Sequence, residues 1–445
     1  MSQNDNFYGT EKVSKIIAKI APPVMIAQLI QALYNIVDSL FVGRFSDSGL
    51  TALSIIYPLQ LLMIALGVGT GVGINTAIAY YMGLKKKNRA ADIAGTATPI
   101  AIVLWLVFAV ICWFIIPIYA KMSTDSPQVI SDVIIYGRIV CVFSIGLFAE
   151  SVWSKTLQAH GDMKTPMVAQ IAGALVNIVL DPILIFGMFG LKPMGIAGAA
   201  VATVSGQIAA ALIVMGKAYT KSPPLRKYPF IVRKIYVLGI PNILMQSAYT
   251  FYILGLNLIL ATFSDQAVTV LGLYYKWQTF FFIPMSAMQT CIVPIISYNY
   301  AAKNINRCKK TFKVGLLWGF SLMLAGAICF VFMPQQLLSI FSSDPLVLEI
   351  GNIAFKIIGI GYIPLTTSLL FPVLFQALGQ GIKSSALTII RTVVLFVPLG
   401  YLFSLFGLEY FWLTFPVTET ITTAVGYYFY RNFFRNYSES DTDHT

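Results

Sequence analysis

The chain has 445 residues, is 57% hydrophobic and only 11% charged, and carries a net charge of +12. A soluble domain averages about 25% charged residues, so a soluble globular protein is excluded, and the apolar runs match the roughly 20 residues a helix needs to cross hydrocarbon. The basic excess does not indicate nucleic acid, because it is confined to alternate loops between apolar runs.

From the N terminus, a lead-in carrying Lys12, Lys15 and Lys19 enters the first of twelve predicted spans: 17–43, 50–82, 92–120, 130–157, 165–190, 195–218, 232–262, 267–300, 312–339, 346–377, 384–407 and 409–434. The first fifteen residues are polar and lack an apolar signal core, so no cleaved signal peptide is expected. Lys85-Lys86-Lys87-Asn88-Arg89 follows the second span, and Lys217, Lys221, Arg226, Lys227, Arg233 and Lys234 surround the link between the sixth and seventh. Lys303, Arg307, Lys309 and Lys310 follow the eighth, and Arg431 and Arg435 follow the twelfth. The opposite loops are short and nearly neutral. This positive-inside pattern predicts a multi-pass cell-membrane protein with both termini cytoplasmic. Pro223, Pro224 and Pro229 cannot continue a helix. Residues 220–229 are therefore the expected cytoplasmic linker between an N-lobe (1–219) and a C-lobe (230–435), followed by a polar, disordered tail at 436–445.

The chain is written twice. Residues 230–390 laid over 12–172 bring Pro241 onto Pro23, Gln246 onto Gln28, Phe263-Ser264-Asp265 onto Phe45-Ser46-Asp47 and Gln278 onto Gln60. Arg307 falls on Arg89, Pro345 on Pro127, and Gln376-Ala377 with Gly379 on Gln158-Ala159 with Gly161, at a constant offset (379 − 161 = 218). The expected fold is an all-α polytopic membrane protein, with twelve transmembrane helices in two pseudo-symmetric six-helix bundles and a central cavity at their interface.

An ionised side chain at the bilayer centre costs roughly 2.5–3.5 kcal/mol on insertion scales, so intramembrane polar residues point to function. Gln28, Gln31, Asn35 and Asp38 fall on one face of the first span. Asn177 and Asp181 share a face of the fifth. At 1.5 Å per residue, Asp38 sits about 8 Å below the outer end of its span, and Asp181 also lies in the outer half. Two carboxylates and an amide at matching depth suit a proton or a sodium ion; the competing reading is that they only satisfy neighbouring donors. In the second half, Leu256 stands where Asp38 stands in the first, so this site belongs to one lobe. Arg391 and Glu419 are expected to pair, a structural role being favoured over a substrate-binding one. Lys276, within Tyr274-Tyr275-Lys276-Trp277-Gln278, either lines a cavity for an aromatic or anionic compound or snorkels. Glu150 and Lys155 are a further candidate pair.

Gly67-Val68-Gly69-Thr70-Gly71-Val72-Gly73 lacks the terminal Gly-Lys-Ser/Thr of a phosphate loop. Its glycines, four apart, are read as close helix contacts. His160-Gly161-Asp162 reads as a turn, and the five cysteines show no disulfide or zinc spacing. With no Walker, metalloprotease or serine–histidine pattern, neither an enzyme nor a cofactor is expected.

At this point the chain resembles the multidrug and toxic compound extrusion family, in its DinF/MepA-like branch. The matching residues are Pro22-Pro23, Tyr34-Asn35-Ile36-Val37-Asp38 with Val42-Gly43, Leu157-Gln158-Ala159 through Gly161-Asp162 and Pro166, Asn177 to Asp181-Pro182, and Gly195 to Thr203. The resemblance implies a V-shaped transporter that exchanges inward-moving protons or sodium for exported compounds. It implies a cation site at Asp38, Asn177 and Asp181, with Thr203 as the threonine of the sixth span. A related branch carries acids in spans seven and ten; here span seven has none and span ten only Glu349 near its start, which moves the coupling site to the N-lobe. The expected activity is antiport of small amphipathic, cationic or aromatic drugs or metabolites by a functional monomer. Gln31, Tyr34, Asn35, Gln246, Lys276, Gln278 and Arg391 are the expected cavity residues. The alternative is a flippase or exporter of a lipid-linked or polysaccharide precursor, towards which Lys276 and Arg391 lean and against which the acid pair leans.

Overall fold

The computed structural model describes residues 7–442, apart from the side chains of Asn35, Ile36, Ser39, Asp47, Thr250 and residues 438–442. Among the described residues the chain is helical and has no strand. Hydrocarbon offers no partner to a backbone N–H or C=O, so each segment satisfies its own. In chain order the helices are α1 (Phe7–Thr10), α2 (Val13–Phe45), α3 (Asp47–Gly83), α4 (Lys87–Ser123), α5 (Pro127–Val142), α6 (Ile145–Ala159), α7 (Lys164–Phe186), α8 (Ile196–Ala218) and α9 (Tyr228–Ala261). There follow α10 (Asp265–Ala301), α11 (Ile305–Phe332), α12 (Pro334–Ser339), α13 (Pro345–Ile360), α14 (Tyr362–Ala377), α15 (Gly381–Ile389), a π-helical stretch (Ile390–Phe396), α16 (Val397–Ser404), α17 (Leu408–Phe411) and α18 (Thr414–Thr442).

Among the described residues ten helices are long and apolar enough to cross a membrane, or eleven if α13 and α14, bent by 52°, count as one span. The twelfth predicted span is α18, where Glu419 and the threonines 414, 418, 420, 422 and 423 lower the hydropathy. With no glycine or proline after Gly426 to stop it, α18 runs on to Thr442, into the segment read as a tail.

The repeat seen in sequence reappears in local geometry. Ser46 Oγ accepts from Gly49 N at 3.2 Å, and Ser264 Oγ from Ala267 N at 3.1 Å, so both Phe-Ser-Asp copies start a helix by the same cap. Lys85 and Lys303 both take φ 58°, and Gly161 and Gly379 both turn the chain at positive φ. The first copy of the Pro127/Pro345 pair opens α5 and the second α13, each 16 residues long and each broken before the next helix. Every one of these pairs is 218 apart (303 − 85 = 218).

By contact the chain forms two compact units: Met1–Ile243 with Ser297–Lys303, and Leu244–Ile296 with Asn304–Thr445. The division falls inside α9 and α10, and the glycines explain part of it. A Cβ on Gly69 or Gly73 would overlap Ile243, or Ile235 and Gly239, of α9; one on Gly67 or Gly71 would press on Leu147, Ser151 or Lys155 of α6. The glycine run thus serves two helix contacts on two faces of α3, not a phosphate. The tail of α10 is held to the first unit by α1: Tyr8, 2% exposed, donates its hydroxyl to Gln158 O at 2.7 Å and accepts from Asn299 Nδ2 at 3.0 Å through its carbonyl. The five cysteines are free thiols.

Overpacking a tight contact typically costs about 1–3 kcal/mol. Gly73→Val is therefore expected to lower the thermal unfolding midpoint of the purified protein in detergent. Gly216→Ala, where an added Cβ meets nothing within 4 Å, is expected to leave it unchanged or raised.

Candidate cation site

α2, α7 and α8 pack together in the first unit and bring the predicted set to one place. Asn177 Nδ2 is shared between Asp181 Oδ1 at 3.4 Å and Thr203 Oγ1 at 3.5 Å, and the Asp38 and Asp181 carboxyls lie within electrostatic range of each other. The exposures are 7% for Asp38, 2% for Asn177, 0% for Asp181 and 7% for Thr203. The amide contacts are longer than the usual 2.7–3.2 Å and hold the set only loosely. Asp38 Oδ1, Asp181 Oδ2 and Asn177 Oδ1 are buried and accept no hydrogen bond from the protein. Among the described residues no basic side chain forms an ion pair with either carboxyl. Two adjoining carboxylates without a cation are unsustainable in a dry interior. The group fits a shared proton or a small hard cation, for which carboxylate, amide and hydroxyl oxygens are suitable donors.

The local sequence explains the convergence. Asp181 follows Asn177 by four residues, one helical turn. Gly173, one turn before Asn177, and Gly206, three residues after Thr203, face each other: a Cβ on either would strike the other's carbonyl. These two glycines let α7 and α8 approach closely enough for Asn177 to reach Thr203. Sequence reasoning missed them, because a contact between residues 33 apart (206 − 173) leaves no local motif. Around the site, Tyr34 lies within electrostatic range of Asp38, Asp181 and Glu150, and Gln60 Nε2 donates to Tyr136 Oη at 3.4 Å. Glu150 accepts from Ser154 Oγ at 2.6 Å, with Lys155 in electrostatic range.

The predicted cavity residues divide between the units. Gln31 and Tyr34, in the first, are half-buried; the Asn35 side chain lies outside the described residues. In the second, Gln246 is half-buried, and Gln278 is buried, accepting from Tyr249 Oη at 3.0 Å and donating to Tyr274 Oη at 2.9 Å. Lys276 is exposed, its ammonium 5.1 Å from the Phe341 ring centroid, an arrangement that fits snorkelling. Arg391 is 7% exposed, and its Nη2 donates to Glu419 Oε1 at 2.6 Å while Nε donates to both carboxylate oxygens. Ser368 Oγ also donates to Glu419. The guanidinium stands 5.0 Å from the Phe396 ring centroid, within the π-helical stretch. At the offset of 218, Ser368 occupies the place of Glu150 and Tyr252 that of Tyr34. The second half thus keeps a tyrosine at the place of Tyr34, has Leu256 at the place of Asp38, and carries its closed ion pair at other positions.

A family model described as MatE matches residues 23–183 and 241–402, two segments whose starts are again 218 apart (241 − 23). The chain is 25% identical to the multidrug export protein MepA of Staphylococcus haemolyticus, over 95% of this chain and 94% of that one. It is 23% identical to an FAD transporter of Shewanella oneidensis, covering 94% of each. Among solved structures it resembles a MOP superfamily transporter from Pyrococcus furiosus, with a TM-score of 0.89 at 23% identity over 97% of this chain and 98% of that one, a likeness of fold.

Breaking a buried ion pair on one side typically costs about 3–5 kcal/mol, whereas replacing both partners by apolar side chains is often near neutral. Glu419→Gln is therefore expected to melt well below the Arg391→Met/Glu419→Met double variant in detergent. Equal losses would show that the pair is not a closed structural unit.

Proposed function

The chain belongs to the MatE family, and from that premise we propose that it is a secondary active multidrug exporter expelling small amphipathic, cationic or aromatic compounds in exchange for protons or sodium. The observation that carries the coupling mechanism is the trio of buried oxygens without donors at Asp38, Asn177 and Asp181. Likeness to the MepA export protein over almost the whole chain supports the substrate class. On this reading Asp38 and Asp181 hold the cation, and Asn177 and Thr203 fix the carboxyl of Asp181 and complete the oxygen set. Cation binding relieves the repulsion between the carboxyls and draws α2 towards α7. A coupling ion drives export only through different affinities for two conformations, and drug and cation then weaken each other reciprocally. The chain works as a carrier without catalytic activity, as a monomer in the cell membrane, with the basic loops and both termini in the cytoplasm.

The alternative, a flippase or exporter of a lipid-linked or polysaccharide precursor, draws on Lys276 and Arg391 in the second unit. The neutralisation of Arg391 by Glu419 weighs against it, because a cationic cavity would need that charge free.

The test is drug accumulation in proteoliposomes under separately imposed proton and sodium gradients. Asp38→Asn is expected to reduce gradient-driven accumulation at least tenfold while keeping a wild-type melting profile, and the effective gradient names the ion. Undiminished accumulation in the variant would remove Asp38 from the mechanism.

A further inference from the structure

Beyond the coupling site, the first unit has a cavity of about 250 Å³ at the end opposite the basic loops. Its walls come from the end of α2, the start of α3, α5 and the link before α8, and include Phe45, Ser46, Gln128 and Gly195. One wall carries Asp132, only 7% exposed. Its Oδ2 accepts from Ser48 Oγ at 2.7 Å and its Oδ1 from Gln128 Nε2 at 3.1 Å. Both donors are neutral, and among the described residues no ion pair compensates the carboxylate. The charged groups close in the chain to the lining residues are Arg44, Asp125 and Lys192, all exposed, Asp47, whose side chain lies outside the described residues, and half-buried Arg138 of α5, which stands 4.2 Å from the Trp113 ring centroid and forms no ion pair with Asp132; α2 and α7 also carry Asp38 and Asp181.

The cavity ends on Val42, Ile185 and Ile196, with exposures of 2%, 0% and 8%. Val42 is four residues beyond Asp38 and Ile185 four beyond Asp181. At 1.5 Å per residue, Val42 and Ile185 stand about 6 Å, one helical turn, along their helix axes from Asp38 and Asp181. The volume is below the roughly 300–1,000 Å³ of drug-sized pockets but holds several waters at about 30 Å³ each. The cavity's size and its buried carboxylate suit a small hydrated cation.

We propose that this cavity is the outer antechamber through which the coupling cation reaches Asp38 and Asp181, with Asp132 as its recruiting carboxylate and Val42, Ile185 and Ile196 as the apolar floor that must part to let it through. The proposal rests on the exporter reading, in which the cation arrives from outside. An uncompensated carboxylate in a narrow, low-dielectric cleft raises the local cation concentration. It acts on the concentration needed for half-maximal transport more than on the rate at saturation.

The experiment measures drug export from proteoliposomes against the cation concentration on the cavity side, with protons and sodium varied separately. Asp132→Asn is expected to raise the half-saturating concentration roughly three- to tenfold, with the rate at saturation within about twofold of wild type. Asp132→Glu restores the wild-type value. Gln128→Glu, which adds a second carboxylate, lowers it about two- to threefold. Opposite shifts from removing and adding charge are not expected of a residue that only ties α3 to α5. If Asp132→Asn does not fold, the Gln128→Glu shift decides alone. Unchanged half-saturation in either folded variant, while Asp38→Asn abolishes coupling in the same vesicles, overturns the antechamber and leaves the exporter reading standing. Persistent coupling in Asp38→Asn overturns the site on which both depend.

Discussion

A polar atom buried in a bilayer has no water to turn to, and the molecule answers that constraint in two opposite ways. In the second unit Glu419 receives Arg391 through three contacts and Ser368 through a fourth, so its charge is balanced. In the first unit Asp38, Asn177 and Asp181 each keep an oxygen without a donor. A balanced pair has little reason to exchange partners. An unbalanced set binds whatever small cation reaches it, and its charge then depends on occupancy. On the proposed reading coupling needs the second kind of site, and the unsatisfied oxygens lie in the first unit.

The internal repeat sharpens the contrast. Caps at Ser46 and Ser264, positive φ at Lys85 and Lys303, and glycine turns at Gly161 and Gly379 show one backbone plan used twice. On that plan Leu256 takes the position of Asp38 and Ser368 that of Glu150. The scaffold is therefore symmetric where it turns and caps the chain, and asymmetric at Asp38 and Glu150 inside the spans. Gly173 and Gly206 add precision to the working copy by letting α7 and α8 touch beside Asn177.

Much of this was legible in sequence because it is local or periodic. The spans follow from hydropathy, the duplication from a constant offset, and the acid face of α2 and the Asn177–Asp181 pair from helical spacing. The pairing of Arg391 with Glu419 followed from charge balance in hydrocarbon. What remained hidden depends on tertiary contact. Nothing near Asp132 in the chain says that Ser48, 84 residues away, will meet it over a cavity. Lys276 offered two readings because a long side chain chooses between lipid boundary and interior only when its neighbours are placed. Tyr8, outside every predicted span, is buried by partners 150 and 291 residues away.

The most direct test of the account follows cation release on drug binding. Purified protein in weakly buffered detergent is titrated with a lipophilic cation while a pH dye reports freed protons and radioactive sodium reports freed sodium. The account predicts that drug binding displaces a cation of one kind from the wild type and none from the Asp38→Asn/Asp181→Asn double variant. Drug binding with no cation displaced from the wild type, or equal displacement from the double variant, would contradict it.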